Sequence, residues 1–140
     1  MTDYFHISMT DRDVNSISAL GLAHIGDAVY EVMVRAFLCC HGGINSRRMH
    51  KAAVSYVSAP AQADAVKKIY GLLSDYELEI YKRGRNTRVN SVPSRSTVEE
   101  YHMATGLETL FGALYLKGET DRLNELFNII MSPEVENNAT

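Results

Sequence analysis

Two acidic residues lie in the middle of segments that otherwise have the pattern of buried helices. Asp27 lies in the stretch AHIGDAVYE, and Glu108 lies in TGLETLFGALYL. Each acid has a glycine near it, Gly26 directly before the aspartate and Gly112 one helical turn after the glutamate. A glycine inside a helix costs about 1 kcal/mol relative to alanine. Glycine is understandable at both positions if two helix backbones approach closely there.

A close approach of these two helices would bring the carboxyl groups of Asp27 and Glu108 together. Two carboxylates at short range repel one another unless a proton or a cation lies between them. A hard divalent ion such as Mg²⁺ suits two carboxylates and several water molecules. The sequence therefore indicates a metal site at Asp27 and Glu108. The alternative is that both acids lie at the exposed rim of a helical bundle and have no chemical role.

The surroundings of Asp27 support either interpretation. His24, Asp27, Glu31 and Arg35 recur at intervals of three, four and four residues and so form one polar line along a helix. Apolar residues at core spacing, from Leu22 through Val32 to Cys40, predict that the opposite face is buried. The polar line is either part of a site or a solvent edge, on which Glu31 and Arg35 form an ordinary ion pair.

Basic residues are concentrated in one part of a chain whose net charge is −3. Residues 47–95 hold ten of the fourteen lysines and arginines but four of the seventeen acids. The stretch YKRGRNTRVNSVPSRS contains no acid, and guanidinium groups bind phosphate through paired hydrogen bonds. A nucleic-acid backbone is the expected partner, and a solvated charged face is the alternative. The candidate contact residues are Arg47, Arg48, Lys51, Lys82, Arg83, Arg85, Asn86 and Arg88.

Helical periodicity between clear breaks predicts an all-α bundle in a single domain over residues 1–140, with a core at about 15–131 and a loose tail at 134–140. The longest helix is expected from residue 17 to 40, capped by Asn15 or Ser16, and it is expected to be central. Capping signals predict further helices that begin at Ser46, Ser58, Ser74 with Glu77, Ser96 with Glu99, and Thr120 or Asp121.

Composition places the chain among ordinary globular proteins, with 46% hydrophobic and 22% charged residues. No apolar run approaches the roughly 18 residues that a membrane span requires, and the N-terminus lacks the features of a secretory signal. The adjacent Cys39 and Cys40 fit no metal-ligand spacing and are predicted to fill apolar space in a reducing compartment. A cytoplasmic location is therefore expected, without a membrane partner.

Several of these motifs, in this order, resemble a known family. The stretch IGDAVYE resembles the signature of ribonuclease III, and GLETLFGALYL resembles the helix that carries its catalytic glutamate. GLAHIGDAVYEVMVR, VSAPAQA and KRGRN are similar to the short bacterial subfamily Mini-ribonuclease III, which lacks a double-stranded-RNA-binding domain. The similarity covers about residues 17–131.

The resemblance implies a ribonuclease III-like helical domain that acts as a homodimer on double-stranded RNA. It implies that Asp27 and Glu108 are the catalytic and Mg²⁺-binding pair, and that the substrate is precursor 23S ribosomal RNA. Three other acids of full-length ribonuclease III are replaced here by Leu20, Ala23 and Thr105. The candidates to take their outer-shell roles are Glu31, Tyr101 and His102.

The leading hypothesis is therefore a Mg²⁺-dependent endoribonuclease that hydrolyses phosphodiester bonds in double-stranded RNA and acts in ribosomal-RNA maturation. The first rival is a non-catalytic RNA-binding or ribosome-assembly module in which the acids are only structural. The second is a helical interaction bundle without an RNA partner. Zinc chemistry is unexpected because the five histidines lack ligand spacing.

Overall fold

The computed structural model describes residues 1–42, 45–87 and 96–133, and these residues form helices and connecting turns without a strand. The all-α prediction is therefore confirmed. The predicted tail at 134–140 lies outside the described residues, as does Arg88. The helices are α1 (Asp11–Asn15), α2 (Ala19–His41), α3 (Ser46–Val57), α4 (Ala59–Ile69), α5 (Asp75–Arg85), α6 (Val98–Leu116) and α7 (Thr120–Met131), with a 3₁₀ turn at Tyr70–Leu72.

Most predicted helix boundaries agree with the structure because local side-chain caps determine them. The Ser58 hydroxyl accepts a hydrogen bond from the amide of Ala61 and begins α4. Ser74 and Glu77 form the predicted capping box at the start of α5. The chain leaves α6 just before Gly118, which adopts a φ of 78°.

Three predicted caps are wrong. Helix α3 is capped by Asn45, whose side chain accepts a hydrogen bond from the amide of Arg48, rather than by Ser46. The capping box of α6 uses Thr97 and Glu100 rather than Ser96 and Glu99, because the sequence STVEE contains two overlapping copies of the pattern. Helix α2 is capped by Ser18 rather than by Asn15 or Ser16. The reason is the short helix α1, which the sequence analysis did not predict and which incorporates Asn15.

Helix α6, rather than the longer α2, lies at the centre of the bundle. It packs against α2, α4, α5 and α7, and its middle is buried on several sides. Phe111 of α6 contacts Tyr30 of α2 edge to face, with ring centroids 5.3 Å apart, and Phe127 of α7 lies 5.9 Å from the same tyrosine. These aromatic contacts join α2, α6 and α7 in one core.

The buried face of α2 differs from the predicted one. Leu22 is buried as expected, but Val32 is 64% exposed, and the core residues further along the helix are Tyr30, Val34 and Leu38. Apolar residues surround most of α2, so their spacing did not determine which face is buried. As a result, an apolar strip of α2 faces outward.

The end of α2 also corrects the expectation for the cysteines. Cys39 and Cys40 are both exposed free thiols rather than apolar fillers. Within the part of the chain that the structure describes, no helix combines the length and the apolar character needed to cross a membrane.

The closest approach between α2 and α6 occurs at the two glycines noted in the sequence. A Cβ atom on Gly26 would lie 1.6 Å from the backbone oxygen of Glu108. A Cβ atom on Gly112 would lie 2.0 Å from the backbone oxygen of Leu22. Real Cβ contacts of this kind do not occur, and a helix backbone cannot move aside as a flexible side chain can. The predicted close approach of the two backbones is confirmed.

Because the backbones of α2 and α6 touch at Gly26, one added methyl group there should strongly destabilise the fold. Gly26→Ala should lower the free energy of unfolding by about 3 kcal/mol or more, because α2 and α6 must separate to admit the Cβ atom. Chemical denaturation measures this loss.

The matched control is Gly71→Ala, since a Cβ atom there would have no neighbour within 4 Å. This variant should unfold within about 0.5 kcal/mol of the wild type. Equal stability of the two variants would contradict the close crossing.

Candidate active site

The crossing of α2 and α6 places Asp27 beside Glu108. Asp27 follows the glycine that touches the backbone of Glu108, so the two side chains leave neighbouring points of the two helices. Their carboxyl groups are near enough for each to shift the pKa of the other. The structure thus brings together the two acids that the sequence analysis selected.

Burial and mutual repulsion hold a proton on this pair. Burial raises the pKa of Glu108, and the negative charge of Asp27 and the shared hydrogen bond add to the effect, so that the pKa reaches about 8. The pKa of Asp27 is also raised, first by burial and then by the charge of Glu31, while His24 and the hydrogen bond to Glu108 oppose the shift. Near neutral pH the pair without a metal therefore carries a shared proton.

The neighbours of the pair lie along the polar line of α2. Glu31 lies one turn beyond Asp27, and its carboxylate accepts a hydrogen bond of 2.7 Å from Arg35. This is the i,i+4 ion pair that the sequence suggested. Glu31 is nevertheless near enough for its charge to act on Asp27, so it remains a candidate for an outer-shell role.

The other outer-shell candidates lie on α6. The backbone oxygen of Tyr101 accepts a hydrogen bond from the hydroxyl of Thr105, which is buried. His102 lines a separate cavity between α4, α5 and α6.

Of the residues that replace the missing acids, Leu20 is 49% exposed and Ala23 is buried. The side chains of Leu20 and Ala23 contain no oxygen that could bind a metal ion.

The donor set of the pair fits a hard divalent cation. Carboxylate oxygens are preferred ligands of Mg²⁺, which commonly binds one or two carboxylates and keeps several waters. Neither Asp27 nor Glu108 forms an ion pair with a basic side chain in residues 1–42, 45–87 and 96–133. The same residues hold no group of three or more potential metal ligands, so water or substrate would complete the coordination.

The predicted RNA contacts fall into two groups. Arg47, Arg48 and Lys51 lie exposed at the start of α3. At the end of α5, the Arg83 guanidinium donates a hydrogen bond to the backbone oxygen of Ile17, so it joins α5 to the turn before α2. Sequence reasoning missed this bond because nothing local signals a contact across 66 positions.

The remaining predicted contacts surround Arg83. Lys82 is half-buried, and Asn86 is the exposed C-cap of α5. Arg85 donates a hydrogen bond to the side chain of Asn86, and its guanidinium carbon lies 5.7 Å from the centre of the Tyr81 ring. The described residues therefore include seven of the eight predicted contacts. Arg83 is bonded to the backbone before α2, and Arg85 contacts Asn86 and Tyr81.

The helical bundle of the described residues, with an acidic pair beside the crossing of its two longest helices, agrees with the expectation of a ribonuclease III-like domain. Residues 20–119 match the family model of the ribonuclease III domain. The chain belongs to the ribonuclease III family, and it is an endoribonuclease.

Relatives narrow this assignment. The chain is 44% identical to Mini-ribonuclease 3 of Thermoanaerobacter sp. (strain X514), over 86% of this chain and 85% of that protein. It is 36% identical to Mini-ribonuclease 3 of Clostridium tetani, over 88% and 82%. An X-ray crystal structure of a Fusobacterium nucleatum protein superposes with a TM-score of 0.77 at 33% identity, covering 84% of this chain and 94% of that one. The resemblance to Mini-ribonuclease III is confirmed.

The raised pKa of Glu108 predicts how stability depends on pH in the presence of a chelator. The folded protein keeps the proton of Glu108 up to about pH 8, whereas the unfolded chain releases it near the ordinary value of 4.5. The folded state binds more protons in this window, so the free energy of unfolding should fall as pH rises through it. Glu108→Gln should reduce this decline when denaturation is measured at pH 5, 7 and 9.

The control for this experiment is Glu79→Gln, which neutralises an exposed acid on α5. This variant should keep the pH dependence of the wild type. A Glu108→Gln variant whose stability declines as steeply as the wild type would show that Glu108 does not hold the proton.

Proposed function

We propose that the chain is a Mg²⁺-dependent endoribonuclease that cuts double-stranded RNA, with Asp27 and Glu108 as its catalytic, metal-binding residues. The observation that carries this proposal is the forced meeting of two carboxyl groups that form no ion pair with a lysine or arginine among the described residues. A pair that serves only stability would gain from a lysine or arginine beside it. Membership of the ribonuclease III family supports the same chemistry.

The two carboxylates act by holding the metal and fixing where it meets the scissile phosphate. When bound, a divalent ion supplies Lewis-acid polarisation of the phosphate and lowers the pKa of a coordinated water. Asp27 and Glu108 must lose their shared proton before they can bind it, and because their pKa values are raised, metal binding should strengthen as pH rises. Glu31 is the best placed of the proposed outer-shell residues, with Tyr101 and His102 as the others.

Basic residues would hold the RNA by its backbone. Arg47, Arg48 and Lys51 of α3 are exposed and suited to phosphate contacts. Lys82, Arg85 and Asn86 at the end of α5 form the second group of proposed contacts, and Arg88, outside the described residues, belongs to the proposed set. Arg83 belongs to the proposed set, but its bond to Ile17 makes positioning of α5 its main contribution. Such contacts recognise the shape and charge of a duplex rather than its bases.

A homodimer would let each subunit cut one strand. The outward apolar strip of α2 supports this part of the proposal, because Val32 and Phe5 border an apolar groove between α2 and α7. Exposed apolar surface of this kind marks interaction sites.

The exposed thiols of Cys39 and Cys40 suit a reducing cytoplasm. Precursor 23S ribosomal RNA is the proposed substrate because of the resemblance to the Mini-ribonuclease III subfamily.

The test of the proposal separates cleavage from binding. Asp27→Asn and Glu108→Gln should each lower the rate of cleavage of a labelled RNA duplex in Mg²⁺ by at least about 100-fold, because each removes a charged metal ligand. Both variants should still bind the duplex within a few-fold of the wild-type affinity, measured by gel shift in chelator.

Asp64→Asn is the matched control, since Asp64 is an exposed acid of α4 whose carboxylate lies 3.8 Å from the ammonium group of Lys67. This variant should cut at the wild-type rate. Wild-type protein that binds a panel of duplexes and precursor ribosomal RNA but cuts none of them in Mg²⁺ would refute the catalytic proposal. That result would favour a non-catalytic RNA-binding module.

A further inference from the structure

A cavity of 390 Å³ lies between α4, α5 and α6, apart from the acidic pair. Its volume is within the range of about 300–1,000 Å³ that small-molecule pockets occupy. Its polar and aromatic lining consists of Lys67, Tyr70, Tyr81, Arg85, Glu99 and His102. Neither Asp27 nor Glu108 lines it.

One wall of the cavity is aromatic and partly open to solvent. Tyr70 is 39% exposed, whereas Tyr81 is buried. The two rings meet edge to face with centroids 5.8 Å apart, so the buried ring supports the exposed one. Tyr70 therefore offers a supported ring surface on which a planar group can stack.

The cavity also carries an excess of positive charge. Lys67 and Arg85 face a single acid, Glu99. The acid that pairs with Lys67 outside the cavity, Asp64, is 3.8 Å away, and both of these side chains are exposed. A weak, exposed pair of this kind leaves Lys67 available to an anionic ligand.

His102 also lines the cavity. Its Nδ1 atom is buried and has no hydrogen-bond partner among the described residues. Buried polar atoms are nearly always hydrogen-bonded. Because this nitrogen has almost no accessible surface, a ligand in the cavity would bond with it only after the ring turned.

The cavity and the acidic pair are both built on α6. His102 precedes Glu108 by six residues, which corresponds to about 9 Å along the helix axis and about 240° around it, so the two lie on different sides of the helix. Arg85 lies at the end of α5, in the basic segment proposed to contact the RNA backbone. An RNA strand bound by Arg85 would also contact the cavity, because Arg85 lines it.

We propose that this cavity takes one unpaired nucleotide of the RNA substrate. The base stacks on Tyr70, and the phosphate lies against Arg85 and Lys67. A paired duplex would present its phosphates to a charged surface without needing an aromatic wall, whereas an unpaired base needs both. The inference rests on the proposed RNA-cutting function and adds a preference for duplexes that carry an unpaired nucleotide near the cut.

The test compares three RNA duplexes of the same sequence in chelator: one fully paired, one with a single bulged adenosine, and one with a two-nucleotide 3′ overhang. The wild type should bind at least one of the latter two roughly tenfold more tightly, as expected for one stacked base. Tyr70→Ala should lose this gain and bind the paired duplex within twofold of the wild type. Tyr70→Phe should keep the gain.

Tyr56→Ala is the matched control, because Tyr56 of α3 is 37% exposed and lies outside the cavity. It should keep the preference of the wild type. Thermal unfolding of all variants confirms that each is folded.

Free 5′-AMP distinguishes an RNA nucleotide from a soluble one. It should compete with the bulged or tailed duplex only at millimolar concentration, because it lacks the neighbouring backbone contacts. If 5′-AMP binds in a Tyr70-dependent way but no unpaired nucleotide tightens RNA binding, the assignment to RNA is overturned.

The outcomes also separate this inference from the proposed function. If the wild type binds and cuts the paired duplex but gains nothing from an unpaired nucleotide, the assignment of the cavity is wrong and the nuclease proposal stands. If it neither binds nor cuts any duplex, both are overturned.

Discussion

The contact of α2 and α6 backbones at Gly26 and Gly112 is the constraint on which the site depends. Each glycine lies where a Cβ atom would penetrate the opposite helix. The glycines weaken both helices locally. They also let the two helix backbones touch, and this contact fixes a separation of α2 and α6 that longer side chains could not set. Asp27 and Glu108 lie next to this contact, so the backbone rather than a flexible loop determines where their carboxyl groups meet.

Glu77 and Glu108 show that the groups around a carboxyl side chain decide whether it stabilises the fold or is suited to chemistry. Glu77 is buried, and burial alone would raise its pKa, but hydrogen bonds from Arg122 and Ser74 lower it overall. Arg122 contacts both carboxylate oxygens of Glu77 at 2.8 Å. Glu108 has a carboxyl group as its neighbour instead of a guanidinium, and its pKa is raised. The first arrangement stabilises the fold, whereas the second is unfavourable unless a proton or cation is bound.

The sequence was most informative where the cause is local. The capping box at Ser74 and Glu77 has its reason in neighbouring residues, and the structure agrees. The glycines at 26 and 112 could be noticed locally because glycine is unfavourable inside a helix, although the contact that requires them joins distant parts of the chain. The buried face of α2 was predicted wrongly because apolar residues such as Val32 occur around most of that helix. The bond from Arg83 to Ile17 and the cavity beside His102 join residues far apart in the chain, so no spacing rule could predict them.

The most direct test of the account is to locate a divalent ion. Crystals of the wild-type protein soaked in MnCl₂ should give one anomalous difference peak between the carboxylates of Asp27 and Glu108, at bonding distance from an oxygen of each. The same soak of Glu108→Gln crystals should give a much weaker peak or none. A wild-type peak that contacts neither carboxylate, or the absence of any peak between well-ordered side chains, would contradict the claim that the crossing exists to hold a cation.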